Sequence, residues 1–421
     1  MKILSLKARQ ILDSRGNPTI EAELKTSKGT FFGVAPSGAS TGKHEAFELR
    51  DGKKEYSGKS VLKAVSNVNS IIARSVIGKD FSSQSELDEF LIKLDWTNNK
   101  SKLGANAILS VSMANCRAMA FENNMELFEF VGSLSGNKNF VLPVPQLNVM
   151  NGGEHAGRKN DIQEHMILPV KFDSFSEALR AGTETYHVLK NILKKKYGYQ
   201  GALVGDEGGF VPNIEVVETR LELMLKAIKD AGYSGKIKLA LDCAASEFYS
   251  NGQYKIGKKV FSPEQLVNFY EILCKKYSIA SIEDGMAEDD WVSWRLLNEK
   301  IGSKVQLVGD DLLVTNVDRI KTALAEKACN ALLLKVNQIG TITESIKASA
   351  LALKNNWNVI VSHRSGETED SFIADFAVGL GIGQSKFGAP ARSDRNSKYN
   401  QLLRIEEKLL EMGKKPVFAK M

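Results

Sequence analysis

Several charged side chains in the second half of the chain each close a short apolar run. Asp242 follows KIKLAL, Glu283 lies in IASIED, and Asp310 lies in VQLVGDD. Lys335 lies in ALLLKVN, the pair His363-Arg364 ends NVIVSHR, and Lys386 ends the shorter GIGQSK. In closed parallel barrels, active-site residues sit at the C-terminal ends of successive strands. One polar strand end reflects loop exposure, whereas six in succession, mixing carboxylates with cations, favour a site.

Asp242, Glu283 and Asp310 at one barrel mouth repel one another unless a cation lies between them. Oxygen donors without cysteine select a hard ion, with Mg²⁺ the default because it takes few protein ligands. The alternative is that Lys335, Arg364 and Lys386 neutralise the trio as ion pairs. Lys335, at the end of an apolar strand, has the setting in which burial lowers an amine's pKa toward that of a general base. Glu207, in GDEGGF, sits on a Gly-rich stretch that by itself reads as an ordinary turn. SGASTGK has the wrong spacing for a phosphate loop and lacks Ser or Thr after Lys43; a Gly/Ser/Thr lid carrying hydroxyls at 37–44 is an alternative left open. GLGIG at 379–383 is too short for a dinucleotide fingerprint.

The elements that must carry these residues follow from periodicity. Residues 1–33 read as strands: IEAEL alternates in period two, and Lys28-Gly29 turns the chain into TFFGV. From 60 to 132, apolar residues fall three and four apart, as in ANAILSVSMANCRAMAFE, and predict helices. Gly132–Asn139 is small and polar and is the best linker candidate. VLPVPQLNVM and HMILPV then predict two strands with no room for a helix between them. Two helical stretches follow, FSEALRAGTETYHVLKNILKKK and NIEVVETRLELMLKAIKDAG. Beyond these, strands and helices alternate, which implies parallel βαβ units.

Length and composition bound the rest. At about 150 residues per domain, 421 residues suggest roughly three domains, and two if one is a barrel. With 43% apolar and 25% charged residues, the chain has ordinary globular proportions, which excludes a disordered chain or a disulfide mini-scaffold. The net charge of +6 is spread without any basic block longer than Lys194-Lys195-Lys196, so no nucleic-acid partner is expected. Cys116, Cys243, Cys274 and Cys329 show no ligand or CxxC spacing, which suits a reducing compartment. The N-terminal apolar run is too short for a signal peptide, and no apolar stretch reaches 18 residues. A cytoplasmic location without membrane association is expected.

These strings together resemble the enolase family. The resemblance runs through LDSRGNPT (12–19), SGASTG (37–42), NGGEHA (151–156), GDEGG (205–209), LDCAASEFY (241–249) and SIED (281–284). It continues through GDDLLVTN (309–316), LLLKVNQIGT (332–341), SHRSGETED (362–370) and GAPARSDR (388–395). It implies an α/β fold: a small α+β N-terminal domain, 1–139, over a modified TIM-type barrel, ββαα(βα)6, at 140–421. The reaction it implies is reversible Mg²⁺-dependent dehydration of 2-phospho-D-glycerate to phosphoenolpyruvate.

By the same resemblance, Asp242, Glu283 and Asp310 hold one Mg²⁺, and Ser40 holds a second that arrives with substrate. Lys335 matches the base that takes the C2 proton. Glu207 matches the acid that protonates the leaving 3-hydroxyl, with Glu164 beside it raising its pKa. His155, Gln163 and His363 match substrate-pocket residues, Arg364 and Ser365 phosphate contacts, and Lys386 the carboxylate contact. Enolase-type sites pair a Lys or His base with Mg²⁺. A divalent ion about 4 Å from a new unit charge, at effective dielectric 20, contributes on the order of 8 kcal/mol. That is roughly six decades of rate as an upper figure. The five acids sum to −5 and the three cations to +3, so two Mg²⁺ bring the site to +2 against a trianionic substrate. A homodimer or octamer is implied as well.

The chain departs from the family pattern in places. Gly285-Met286 follow SIED in place of Pro-Phe and are expected to loosen that loop. His165 follows Glu164 in place of Phe and is expected to pack as a core histidine. Phe387 follows Lys386. Two other readings stand beside this one. Racemising or cycloisomerising relatives carry a Lys-x-Lys pair that these strands lack, and a non-catalytic binding protein would be expected to have lost a site residue.

Overall fold

A computed structural model describes residues 1–38 and 42–421. The N-terminal part begins with a three-stranded antiparallel meander, Ser5–Leu12, Pro18–Lys25 and Thr30–Val34, paired from Ser5↔Lys25 to Leu12↔Pro18. One face of this sheet is covered by the helix Ala105–Glu122, nearly all of whose residues are buried. Gly33 permits that contact: a Cβ there would lie 2.0 Å from the Ser110 carbonyl oxygen and 2.6 Å from the Ala114 nitrogen. Helices expected between 60 and 132 form at Leu62–Ser66, Ala73–Val76 and Gln84–Asp95, the first two joined by a π-helical segment at Asn67–Ile72.

The linker expectation needs correction. Leu127–Ser135 is helical and ends at Gly136, whose φ of +76° suits glycine, so only the residues after Ser135 connect the two parts. Buried Phe128, Phe130 and Val131 anchor this helix. Their apolar spacing outweighs the small polar residues beside them.

The second part is built on a nine-segment sheet. Its order is Val144–Pro145, Gln384–Lys386, Asn358–Ser362, Ala331–Leu334, Gln306–Gly309, Ile279–Glu283, Ile237–Asp242, Glu164–Pro169 and Leu147–Asn151. The first and last segments are separated only by Gln146, so the sheet closes on itself as an eight-stranded barrel. Glu164–Pro169 runs antiparallel to both neighbours, and the other pairings are parallel. The helices Phe175–Tyr197 and Val217–Asp230 follow the second strand consecutively, completing the expected ββαα start.

Within the barrel, Val308, Ala331, Leu333 and Ile360 form a small apolar cluster separate from the main core. Near the other end of the barrel, the side-chain amides of Gln146, Gln306 and Gln384 hydrogen-bond one another at 2.7–3.0 Å. No helix is long and apolar enough to cross a membrane among the described residues.

Candidate active site

The parallel strands deliver their C-terminal residues to one mouth. Asp242, Glu283 and Lys386 end their strands, while Asp310, Lys335 and His363 come one residue after theirs. Glu164 arrives by the opposite route. It is the first residue of the antiparallel strand, in register with Asp242, so its strand's N-terminal end sits at the same mouth. Glu207, Arg364, Ser365 and Gln163 come from loops around this mouth, His155 comes from the short 3-10 helix Glu154–Ala156, and all five line the cavity. With two lysine side chains across it, that cavity measures only ≈ 30 Å³. Ser40 lies outside the described residues.

Lys386 occupies the centre. Its Nζ lies 2.8 Å from Asp242 Oδ2, 2.8 Å from Glu283 Oε1 and 3.3 Å from Glu164 Oε2. Lys335 Nζ lies 2.5 Å from Asp310 Oδ2. The structure therefore brings Asp242 and Glu283 to one ammonium and Asp310 to another, the ion-pair alternative weighed above. Burial would lower both lysine pKa values, but the facing carboxylates outweigh it and hold both above the usual range. For Lys335 this reverses the sequence expectation. Desolvation favours the neutral amine only when no anion lies within contact, and Asp310 does.

The two glutamates differ in the opposite sense to that expected. Burial, reinforced by Glu207, pushes the Glu164 carboxyl up. Glu207 is equally buried, yet the charges of His155 and Arg395, with a hydrogen bond from His363, hold it well below the usual carboxylate range. Its Oε2 lies 3.3 Å from His363 Nε2 and accepts from Asn148 Nδ2 at 3.1 Å, while Oε1 accepts from Ser365 Oγ at 3.1 Å. His155 Nδ1 lies 3.3 Å from Glu164 Oε1, and although burial opposes it, the acidic neighbours raise this imidazole to about 9. His363 is lowered to about 4 by burial, with Arg395 adding to the effect.

Arg364 pairs with Glu45 at 2.9 and 3.1 Å and donates to Asn337 Oδ1 at 3.0 Å. Arg395, fully buried, donates to the carbonyl oxygens of Arg364 and Ser365 at 2.5 and 2.6 Å and reaches His363 Nδ1. The roles of Glu45, Asn148 and Arg395 were not read from the sequence. Arg395 ends the GAPARSDR string, but its burial and its third backbone acceptor, Asp206 O at 3.2 Å, come from the fold. Among the departures, His165 is buried and kept neutral by burial and by Arg220. Gly285 is packed beside Leu297 and Ile282, where a Cβ would lie 2.9 Å from Leu297 Cδ2 and 3.2 Å from Ile282 Cγ2. Phe387 is buried with its ring 6.0 Å from that of Tyr399.

The donor set fits a hard divalent cation. Glu283 Oε2 and Gln163 Oε1 are buried without a hydrogen-bond partner among the described residues. Burial and then Asp242 push the Glu283 carboxyl well above its usual range, which marks negative charge that the lysines do not fully offset. Oxygen atoms of Asp284, Asp310 and Asp311 also lie within 4.8 Å of one another, beside the same mouth.

The chain is also similar to known proteins along its length. Residues 3–131 match the family model "Enolase, N-terminal domain", and residues 139–419 match "Enolase, C-terminal TIM barrel domain". The chain is 54% identical over 433 aligned positions to a tomato (Solanum lycopersicum) protein named Enolase, covering 99% of this chain and 97% of that one. It is 54% identical over 420 positions to a Mastigamoeba balamuthi protein of the same name, covering 97% and 96%. Two matched domains in order, and identity across nearly the full length, place the chain in the enolase family.

Proposed function

We infer that the chain is a phosphopyruvate hydratase, a hydro-lyase that interconverts 2-phospho-D-glycerate and phosphoenolpyruvate in glycolysis and gluconeogenesis. One observation carries the reading: an amine, a buried acid and a set of convergent carboxylates share one closed mouth with Arg364 and Lys386.

The metal in this reading is Mg²⁺. Asp242, Glu283 and Asp310 would hold one ion, and Ser40 with substrate phosphate a second; these ions supply positive charge for the carbanionic intermediate. Lys335 takes the C2 proton. It is cationic while Asp310 is its partner. Once Asp310's charge is satisfied elsewhere, burial and the nearby cations Arg364 and Lys386 all act to lower its pKa. Lys386 binds the substrate carboxylate, and Arg364 with Ser365 orients the phosphate. His155, Gln163 and His363 enclose the substrate. Glu207 delivers a proton to the departing 3-hydroxyl, and Glu164, the more basic carboxyl beside it, is placed to store that proton.

The division at residue 139, the lid at 37–44, a homodimer or octamer and a cytoplasmic setting belong to the same reading. The test follows release of phosphoenolpyruvate and exchange of the C2 proton from 2-phosphoglycerate, with and without Mg²⁺. Mg²⁺-dependent turnover is expected. Absence of both exchange and product with Mg²⁺ present would overturn the reading.

A further inference from the structure

Gln338 lies behind the site, 1% exposed, and its side-chain amide engages three residues, Asp310 and Thr315 of the turn at 310–315 and Glu45 from the N-terminal part. Its Nε2 donates to Asp310 Oδ1 at 2.8 Å and to Glu45 Oε1 at 3.4 Å, and its Oε1 accepts from Thr315 Oγ1 at 2.9 Å. Thr315 Oγ1 in turn accepts from the Lys335 backbone nitrogen at 3.0 Å. This chain of bonds sets the amide's orientation. The carboxylates of Asp310 and Glu45 can only accept, so the NH₂ faces them, and the glutamine carbonyl takes the Thr315 proton.

The backbone holds the same node. Gln338 N donates to Lys335 O at 3.0 Å, and Ala46 N donates to Gln338 O at 2.8 Å. The turn that presents Thr315 places two consecutive β-branched residues at positive φ, Val314 at 42° and Thr315 at 54°. Such residues rarely hold that conformation, and it persists where the surroundings over-determine it.

On the reading of the site given above, we propose that Gln338 is a positioning residue that divides the two oxygens of Asp310 and links that carboxylate to Arg364. By taking Oδ1, the amide fixes rotation of the carboxylate and leaves Oδ2 to face Lys335 and a bound cation. Through Glu45, which pairs with Arg364 by both oxygens, the same amide ties the phosphate-side arginine to the cation-side carboxylate. Partners of metal-holding carboxylates typically carry a 10–100-fold effect on metal affinity or activity.

The test uses the full chain. Gln338→Met keeps the volume and removes the hydrogen bonds. It is expected to melt cooperatively in metal-free buffer, to bind Mg²⁺ roughly tenfold or more weakly by calorimetry without substrate, and to lose kcat in proportion. Glu45→Gln, which leaves Asp310 untouched, is expected to raise KM for the phosphorylated substrate more than it lowers kcat. Wild-type Mg²⁺ affinity in folded Gln338→Met would overturn the proposal, and an unchanged KM in Glu45→Gln would overturn its Arg364 arm. Should Gln338→Met fail to fold, Thr315→Val decides by the same calorimetry: weakened Mg²⁺ binding supports the proposal and unchanged binding overturns it. Failure of the wild-type chain to bind Mg²⁺ or turn over substrate would instead overturn the reading of the site itself.

Discussion

Lys335 Nζ and Asp310 Oδ2 lie 2.5 Å apart at the barrel mouth, so the proposed base and a proposed metal ligand neutralise each other. On the proposed roles, Lys335 is freed to act as the base once a cation takes over the Asp310 carboxylate.

Lys335→Ala is expected to lose both C2 proton exchange and dehydration, by about 10²–10⁴-fold, the range of a single general base. Glu207→Gln is expected to keep exchange and lose dehydration. Deuterium incorporation read by NMR beside product formation separates the steps. Equal exchange in wild type and Lys335→Ala would remove the lysine from the proton-transfer role.

Removal of divalent metal with a chelator is expected to abolish turnover and lower stability. Saturating Mg²⁺ at a hundredfold excess over Kd should restore about 2.7 kcal/mol, because the ion binds the folded state alone. Glu283→Gln is expected to lose most of that gain. Chemical denaturation with and without Mg²⁺ measures both, and an equal gain in the variant would exclude Glu283 as a ligand.

Asp375 predicts a pH dependence away from the site. Burial pushes its carboxyl up to about 7, with Gln401 Nε2 donating to it at 3.0 Å. Between about pH 4 and pH 7 the folded chain holds a proton there that the unfolded chain has released. The native state then binds more protons, and stability falls as pH rises, by at most on the order of 4 kcal/mol. Asp375→Asn should be more stabilising near pH 7 than near pH 4. An effect of the same size at both would show that this carboxyl does not titrate in the window.

Gly33→Ala is expected to cost about 3 kcal/mol, because its Cβ would meet helix backbone that cannot move aside alone. Urea denaturation of the variant provides the check. A loss below about 1 kcal/mol would mean that sheet and helix can separate without penalty.

The local sequence determined much of this molecule. Period-two and period-3.6 patterns located the strands and most helices, and parallel strands guarantee that their C-terminal ends share a mouth. Asp242, Glu283, Asp310, Lys335, His363 and Lys386 were therefore legible as one group before any contact was seen. Glu164 was legible only by resemblance, since the strand-end rule does not cover the N-terminal end of a reversed strand. The extent of the Leu127–Ser135 helix and the packing beside Gly285 depended on tertiary contacts.

Charge state was decided by the tertiary structure alone. Whether burial lowers an amine's pKa or a facing carboxylate raises it depends on a few ångströms between residues far apart in the chain. Sequence order carries no record of those distances. That is why Lys335 is held cationic by Asp310, why Glu164 rather than Glu207 is the more basic carboxyl, and why Gln338, an unremarked amide in the sequence, stands between both halves of the site.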